Sequence, residues 1–197
     1  MPNYNNVKFL ASYPTADAVP ASVLPEVSFV GRSNVGKSSI MNKIFRRKGL
    51  VKVSSTPGKT RAINFFDASD CHFVDLPGYG FAQVSKAEQG LWKRSIEGYF
   101  EQGRRIALVC ALVDIRHDAS KLDIQMVEYL VEQELPFCIV FTKADKLSGA
   151  KQQRQVAALC KQFAFAGDVV VIATSSESGQ GIDDVRALIA DAVAACE

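Results

Sequence analysis

The sequence has little of what secreted, membrane-spanning and zinc-binding proteins need. No stretch approaches the roughly 18 consecutive apolar residues of a membrane span. The first residues, MPNYNNVKFLASYP, lack the basic start and apolar run of a secretory signal. The five cysteines are far apart, odd in number and without a C-x-x-C pair, which is typical of a reducing compartment. These absences exclude the three classes and predict a cytoplasmic protein.

The composition is that of a globular protein, but the charge is unevenly distributed. The 197 residues are 48% hydrophobic and 22% charged, which suits one α/β domain with a real core. Seven of the 23 Lys and Arg lie between Lys43 and Arg61, where there is no acid. The rest of the chain has 16 Lys and Arg against 21 Asp and Glu, so it is net negative. Such a basic segment favours a nucleic-acid partner. The other interpretation is that a phosphate-binding region prefers positive surroundings.

The pattern along the chain predicts an arm at residues 1–24 and one domain at 25–197. After Pro25, apolar β-rich runs alternate with helical patterns, as in a parallel sheet covered by helices on both faces. The runs at 63–69 and 71–76 are nearly contiguous and predict an antiparallel hairpin. We therefore expect a three-layer α/β fold whose six-stranded, mostly parallel sheet has one antiparallel strand. The six predicted strands are 27–31, 63–69, 71–76, 106–114, 137–142 and 169–174.

Two helical segments carry clear signals. Ser120, with Asp123 three residues later, resembles a helix start. Apolar residues at helical spacing predict one buried face in that segment and one in the last segment of the chain. Those residues are Leu122, Met126, Val127 and Leu130, and then Ile182, Val185, Leu188, Ile189 and Val193.

The segment GRSNVGKS (31–38) matches G-x-x-x-x-G-K-[ST] between a strand and a helix, the context that a phosphate-binding loop requires. Gly31 and Gly36 let successive backbone N–H groups turn toward an anion, and the following helix adds its positive end. The ammonium of Lys37 can reach β- and γ-phosphates, and the hydroxyl of Ser38 can bind Mg²⁺. The fold class is therefore that of a P-loop NTPase.

A second motif, VDLPG (74–78), supplies D-x-x-G at the end of a predicted strand. Asp75 would hold Mg²⁺ through a water, and Gly78 lets a backbone N–H approach the γ-phosphate. Residues 54–62 and 78–89 are predicted mobile loops that order around the γ-phosphate and Mg²⁺ and relax after hydrolysis. In the first loop Thr60 is the chosen Mg²⁺ ligand, and Thr56 is its competitor.

The segment FTKAD (141–145) follows another strand and matches [NT]-K-x-D. Asp145 can accept hydrogen bonds from N1–H and the 2-amino group of guanine, whereas adenine offers neither donor, so the pattern predicts guanine selectivity. The stem of Lys143 would cover the purine. Thr142 replaces the commoner Asn, and we expect a weaker brace to the phosphate loop. In TSSESGQGI (174–182) the N–H of Ser176 would donate to guanine O6.

Taken together, PEVSFVGRSNVGKSS, SSTPGKTRAINFF, VDLPGYGFA, VFTKADKL and TSSESGQGI resemble the EngB (YihA/YsxC) GTPases of the Era/TrmE-like group, from about residue 7 to the C-terminus. The resemblance implies a Ras-like G domain in which Ser38, Thr60 and, through water, Asp75 bind Mg²⁺. The residues that it implies in contact with GTP are Gly31, Arg32, Ser33, Asn34, Val35, Gly36, Lys37, Ser38, Gly58, Lys59, Thr60, Arg61, Ala62, Asp75, Leu76, Pro77, Gly78, Thr142, Lys143, Ala144, Asp145, Thr174, Ser175 and Ser176.

The resemblance also bears on turnover. Tyr79 stands where Ras-like switches have the water-orienting Gln, so we expect slow intrinsic hydrolysis. Asn34 occupies the position that helps to hold K⁺ in related potassium-dependent GTPases, which makes K⁺ a candidate cofactor. No catalytic residue is assigned.

By the same resemblance, the expected function is a GTP/GDP switch in assembly of the large ribosomal subunit, linked in the family to septation and cell division. The basic segment at 43–61 favours an rRNA-rich partner, and a monomer is expected. An alternative is a GTP-dependent switch that recruits a protein at the division site without RNA. A P-loop kinase is the least favoured interpretation, because a kinase does not need a guanine-recognition segment such as FTKAD.

Overall fold

The computed structural model describes residues 2–52, 62–80 and 95–196. Within these ranges the chain forms strands, α-helices and short 3₁₀ turns in the order expected of an α/β domain. The strands are β1 (Lys8–Tyr13), β2 (Glu26–Gly31), β3 (Ile63–Asp67), β4 (His72–Asp75), β5 (Ile106–Asp114), β6 (Phe137–Thr142) and β7 (Val171–Ala173). The helices are α1 (Lys37–Ile44), α2 (residues 95–100), α3 (Lys121–Glu132), α4 (Gly149–Gln162) and α5 (Ile182–Ala195).

The strands form one sheet in the order β1-β3-β4-β2-β5-β6-β7. The β2, β4, β5, β6 and β7 strands pair in parallel, whereas β3 runs antiparallel to both of its neighbours, β1 and β4. The hairpin predicted from the two contiguous runs is the β3–β4 pair. The predicted fold class, a mostly parallel sheet with one reversed strand, is confirmed.

The sheet has seven strands rather than the predicted six. The additional strand, β1, lies inside the segment interpreted as an arm and pairs with β3 from Lys8↔Asp67 to Tyr13↔Ile63. The ring of Phe9 packs edge-on against Phe66 at 5.8 Å between centroids. The sequence does not predict this strand, because most side chains of β1 are exposed and β1 therefore lacks the apolar pattern of a core strand. The boundary predicted between residues 24 and 25 stays a prediction.

Helices cover both faces of the sheet and complete three layers. Side chains of α1 and α5 pack on one face, where Val27 and Phe29 of β2 point, and those of α2, α3 and α4 pack on the other. The apolar faces predicted for α3 and α5 are confirmed, since Met126 and Val185, for example, are buried in these two clusters. Among the described residues, no helix combines the length and apolar composition that crossing a membrane requires.

The start of α3 also agrees with the sequence. The side chain of Ser120 accepts the N–H of Asp123, and the carboxylate of Asp123 accepts the N–H of Ser120 at 2.9 Å. This reciprocal arrangement satisfies two backbone donors that the first turn leaves without helical partners. Asp123 is buried and has a second contact, which matters for the site described below.

A buried ion pair lies at the end of the strands opposite the candidate site. Glu26, at the start of β2, is fully buried and receives two hydrogen bonds of 2.7 Å from the guanidinium of Arg104. The hydroxyl of Tyr99 on α2 donates to the same carboxylate at 2.5 Å, and Arg104 stacks 4.9 Å from the centroid of the Tyr99 ring. A buried pair of this kind is costly to break, because the remaining charge has no water to solvate it.

Candidate functional site

The four sequence motifs meet at one edge of the sheet because each follows the carboxyl end of a strand running in the shared direction. The segment 31–38 follows β2, residues 75–78 follow β4, residues 142–145 follow β6, and residues 174–176 follow β7. Ligands of open α/β sheets bind at this edge. The described site residues predicted from the sequence are therefore brought together.

The geometry of the phosphate loop explains its two glycines. A Cβ on Gly31 would lie 3.0 Å from both the carbonyl of Leu112 and a methyl of Val35, so a larger residue would require these neighbours to shift. Gly36 has φ +104 at the N-cap of α1, a conformation that L side chains rarely adopt. The first N–H groups of α1 have no intrahelical acceptors, and with the helix dipole they make this end suitable for an anion.

Lys37 and Asp75 form an ion pair across the phosphate loop. Both side chains are largely enclosed, and the ammonium of Lys37 also donates to the carbonyl of Leu76. The amide of Asn64 lies 3.5 Å from the other oxygen of the Asp75 carboxylate. The cation predicted to bind phosphate and the carboxylate predicted to bind Mg²⁺ through water therefore lie side by side.

The chain after Asp75 packs directly on the phosphate loop. The N–H of Ser33 donates to the carbonyl of Tyr79 at 2.7 Å, and the N–H of Tyr79 donates to the carbonyl of Gly31 at 3.2 Å. A side chain on Gly78 would lie 3.2 Å from the hydroxyl of Ser33, so this glycine permits the close approach. The D-x-x-G segment and the phosphate loop form one unit.

The phenol of Tyr79 is bonded to helix α3. It is buried and donates a hydrogen bond of 3.1 Å to the carboxylate of Asp123 on α3. Burial, reinforced by the charge of Asp123, raises the pKa of Tyr79 well above its usual value. The phenol therefore has a protein partner in this structure, and the slow hydrolysis expected from the sequence stays a prediction.

Thr142 braces the end of β6 to the phosphate loop. Its hydroxyl, in a fully enclosed side chain, donates to the carbonyl of Val35 at 2.6 Å and approaches the carbonyl of Val113 at 3.4 Å. The brace is thus present although Thr stands where Asn is commoner. Its predicted weakening concerns energy rather than geometry and stays a prediction.

Lys143 extends the connection between the two motifs. Its ammonium donates to the carbonyl of Asn34 at 2.7 Å and to the carboxylate of Asp114 at 2.9 Å. Asp114 also receives two hydrogen bonds from the guanidinium of Arg116. Partial burial of Asp114 favours the neutral acid, but the hydrogen bonds from Arg116 and Lys143 outweigh it and hold the pKa of Asp114 well below its usual range. The sequence analysis missed Asp114, whose only signal is its place at the end of an apolar run.

Asp145 is held as a charged acceptor. One carboxylate oxygen accepts the hydroxyl of Ser175 at 2.6 Å, and the other pairs with Lys146 at 2.8 Å. These hydrogen bonds, first from Lys146 and then from Ser175, lower the pKa of Asp145. Ser175 is itself fixed, because its oxygen accepts the N–H groups of Glu177 and Ser178, each at 3.1 Å. An ionised carboxylate anchored in this way can accept hydrogen bonds from a ligand.

The remaining predicted residues divide into two groups. The hydroxyl of Thr174 donates to the carbonyl of Phe141 at 3.0 Å and ties β7 to β6, while Ala62 immediately precedes β3. Thr56, Gly58, Lys59, Thr60 and Arg61 lie outside the described residues, as does most of both predicted mobile loops.

A cavity of about 260 Å³ lies beside the phosphate loop. Its lining includes Arg32 and Ser33 of the loop and Arg116, His117 and Asp118 from the segment after β5. The sequence analysis singled out no residue of 116–118 for a role here, because a polar segment after a strand is usually only a solvated loop.

Comparison with known proteins agrees with this geometry. Residues 26–143 match the family described as 50S ribosome-binding GTPase. A probable GTP-binding protein EngB of Desulfotalea psychrophila is 45% identical over 188 residues, which cover 95% of this chain and 97% of that protein. A protein of the same name from Flavobacterium johnsoniae is 47% identical over 160 residues, or 81% of this chain and 76% of that one.

Solved structures extend the likeness to the fold. The crystal structure of a probable GTP-binding protein EngB superposes with a TM-score of 0.69 at 24% identity, covering 85% of this chain and 98% of that one. The cytosolic domain of the T. maritima FeoB iron transporter, in a GDP form, gives a TM-score of 0.56 at 20% identity, covering 86% and 63%. Since the family model spans more than half of the chain and the relatives cover nearly all of it, the chain belongs to the EngB family of GTP-binding proteins.

Proposed function

We propose that this chain is a slow GTPase that binds GTP and GDP with Mg²⁺ and acts as a switch in assembly of the large ribosomal subunit. The observation that carries the nucleotide part is the anchored Asp145 carboxylate, joined through Thr142 and Lys143 to the phosphate loop. One rigid unit thereby presents an acceptor for a base and a cradle for phosphates. The family description, 50S ribosome-binding GTPase, supports the ribosomal part.

Guanine selectivity would follow from the chemistry of Asp145. The N1–H and 2-amino groups of guanine donate to its two oxygens, displacing or sharing the contacts with Ser175 and Lys146. Adenine has no such donors on that edge, so it would gain neither hydrogen bond and Asp145 would keep its contacts with Ser175 and Lys146.

Nucleotide binding would exchange the partners of Lys37. In the structure its ammonium neutralises Asp75, and a β,γ-phosphate anion would compete for it. Asp75 would then be free to hold Mg²⁺ through a water, together with the hydroxyls of Ser38 and Thr60, or Thr56 in its place. Hard oxygen donors of this kind suit Mg²⁺, which when bound neutralises phosphate charge. Among the described residues no three or more His, Cys, Asp or Glu cluster into a metal site, so Mg²⁺ would depend on these hydroxyls and the nucleotide.

Hydrolysis transfers the γ-phosphoryl group to water, releasing GDP, phosphate and a proton as the bond to the β–γ bridging oxygen breaks. The hydrogen bond of the Tyr79 phenol to Asp123 supports a slow rate, since the attacking water is left without an orienting amide. We further propose that Asn34 helps to hold a K⁺ ion beside the phosphates. Equal hydrolysis rates in Na⁺ and K⁺ buffers, with and without ribosomes, would remove that ion from the account.

The ribosomal partner is proposed from charge. The last turn of α1 and the segment after it, together called the basic turn, expose five cations and no acid at the end of α1 opposite the phosphate loop. Phosphates of rRNA would bind this basic turn, and affinity would fall steeply with salt. The proposed link to septation is attributed to the same ribosomal role. The cations of the basic turn are Lys43, Arg46, Arg47, Lys48 and Lys52.

Co-sedimentation with 50S particles tests the ribosomal proposal. Binding should be salt-sensitive and stronger with a non-hydrolysable GTP analogue than with GDP. The double variant Arg46→Glu/Arg47→Glu should lose most binding, whereas Lys151→Glu/Arg154→Glu, an equal charge change at exposed positions of α4, should keep it. Equal loss in both variants, or binding indifferent to salt, would favour the alternative, a protein-recruiting switch at the division site.

Competition against fluorescent GDP tests the guanine assignment. GTP should displace the probe and ATP should not. Asp145→Asn should weaken guanine binding and improve binding of xanthine nucleotides, because Asn can donate to the additional carbonyl of xanthine. If ATP competes as well as GTP, the assignment is wrong.

A further inference from the structure

Ser33, the third residue of the phosphate loop, has a hydroxyl without a partner. Its oxygen is buried, and no described residue donates to it or accepts from it. Its own N–H is engaged with the carbonyl of Tyr79. A buried hydroxyl left unsatisfied costs free energy, so an isolated one in the middle of a phosphate-binding loop requires an explanation.

Two contacts show which part of the ligand Ser33 would face. The next residue, Asn34, is linked through its carbonyl to Lys143 of the base-binding segment. Ser33 instead packs against Gly78, whose Cβ position would lie 3.2 Å from the Ser33 oxygen and 3.4 Å from its Cα. Gly78 is the D-x-x-G glycine whose N–H is expected at the γ-phosphate. The Ser33 hydroxyl therefore lies at the γ-phosphate end of the loop.

The residue after Gly78 does not satisfy the Ser33 hydroxyl either. Tyr79 sends its phenol to Asp123 instead of to the loop. Gly78 lies in contact with the Ser33 hydroxyl, so a phosphate oxygen would reach this donor by taking the place of Gly78. A hydrogen bond to such a charged acceptor is stronger than one between neutral groups.

We propose that the Ser33 hydroxyl donates a hydrogen bond to a γ-phosphoryl oxygen of bound triphosphate, a contact that a diphosphate cannot make. Ser33 is then a specificity-determining residue that raises affinity for the triphosphate relative to the diphosphate. The inference rests on the proposed binding of GTP at this site.

The test is Ser33→Ala, which removes only the hydroxyl. Affinity for a β,γ-imido GTP analogue with Mg²⁺ should fall about tenfold, the value of one hydrogen bond to a charged group, while GDP affinity stays within about twofold. The ³¹P resonance of the bound analogue's γ-phosphate should shift, with that of the α-phosphate unmoved. Without nucleotide, the variant should unfold at the same temperature as the wild type or higher, because it loses no bond.

Ser69→Ala is the matched control. Ser69 lies exposed in the β3–β4 turn, and the pairing Asp67↔His72 places this turn at the end of the hairpin away from Asp75. Its analogue and GDP affinities should equal those of the wild type. Equal loss of both nucleotides in Ser33→Ala, or no loss of either, overturns the inference. Failure of the wild type to bind guanine nucleotides would instead overturn the proposed function, so the two failures are distinguishable.

Discussion

Replacing Thr142 by Val removes the brace between the base-binding segment and the phosphate loop while nearly preserving shape. The bond from the Thr142 hydroxyl to the carbonyl of Val35 is short, at 2.6 Å, and both side chains are enclosed. The variant loses a neutral hydrogen bond and leaves a buried carbonyl with one partner fewer. The free energy of unfolding should therefore fall by about 1–3 kcal/mol.

The same change should weaken nucleotide binding. A nucleotide bound as proposed would contact both segments, so a loop no longer held in register would have to be ordered when the ligand binds. An ordering cost of about 1 kcal/mol lowers GDP affinity about fivefold. Urea denaturation gives the stability change, and competition against fluorescent GDP gives the affinity.

Two matched variants make this prediction specific. Thr142→Ser keeps the hydroxyl and should retain affinity, with a small stability loss from the missing methyl group. Thr142→Asn supplies two N–H donors, and if Thr is the weaker brace it should bind GDP at least as tightly as the wild type. If Thr142→Val matches the wild type in both stability and affinity, the brace contributes nothing and the reasoning is refuted.

Three further changes probe the surroundings of the site and the buried ion pair at the opposite end of the sheet. Asp114→Asn should lower stability at pH 7. Because the pKa of Asp114 is depressed in the folded protein, its contribution exists above the unfolded-state pKa of about 3.9 and is lost as pH falls; urea titrations should show the two proteins converging in acid. Tyr79→Phe should lower the free energy of unfolding by about 1–2 kcal/mol and leave the rate of single-turnover GTP hydrolysis unchanged. A slower reaction would place the phenol at the phosphates. Glu26→Gln should lower the free energy of unfolding by about 3–5 kcal/mol, because it leaves Arg104 unpaired. Arg105→Gln, at an exposed position, should lower stability only slightly in the same thermal melts. Comparable losses of stability in the two variants would refute the buried-pair argument.

Much of the fold was predictable because local rules and burial agreed. The apolar runs became β2, β3, β4, β5, β6 and β7, the close spacing of two runs became the hairpin, and the Ser120 signal became a capping box. The strand β1 was missed because it lies at the sheet edge, with Phe9 and Leu10 exposed. Its stability comes from pairing with β3, which no local pattern records.

The candidate site divides in the same way. Motifs at strand ends indicated where the phosphate loop, Asp75 and Asp145 would meet, because parallel strands place their carboxyl ends together. The hydrogen bonds between distant segments that surround these residues could not be predicted. Asp114 binds Lys143 across 29 positions of sequence, and Tyr79 binds Asp123 across 44.

The sequence by itself determined the class of fold and the chemical groups offered to a nucleotide, since periodicity and motif spacing are properties of the chain alone. The tertiary structure decided how these groups are oriented: Tyr79 turned toward α3, Thr142 bonded to the phosphate loop, and Ser33 enclosed without a partner. Orientation depends on which distant segments pack together, and hydrogen bonds are lost over a few tenths of an ångström. Residue identity supplies the donors and acceptors, but only packing decides which of them meet.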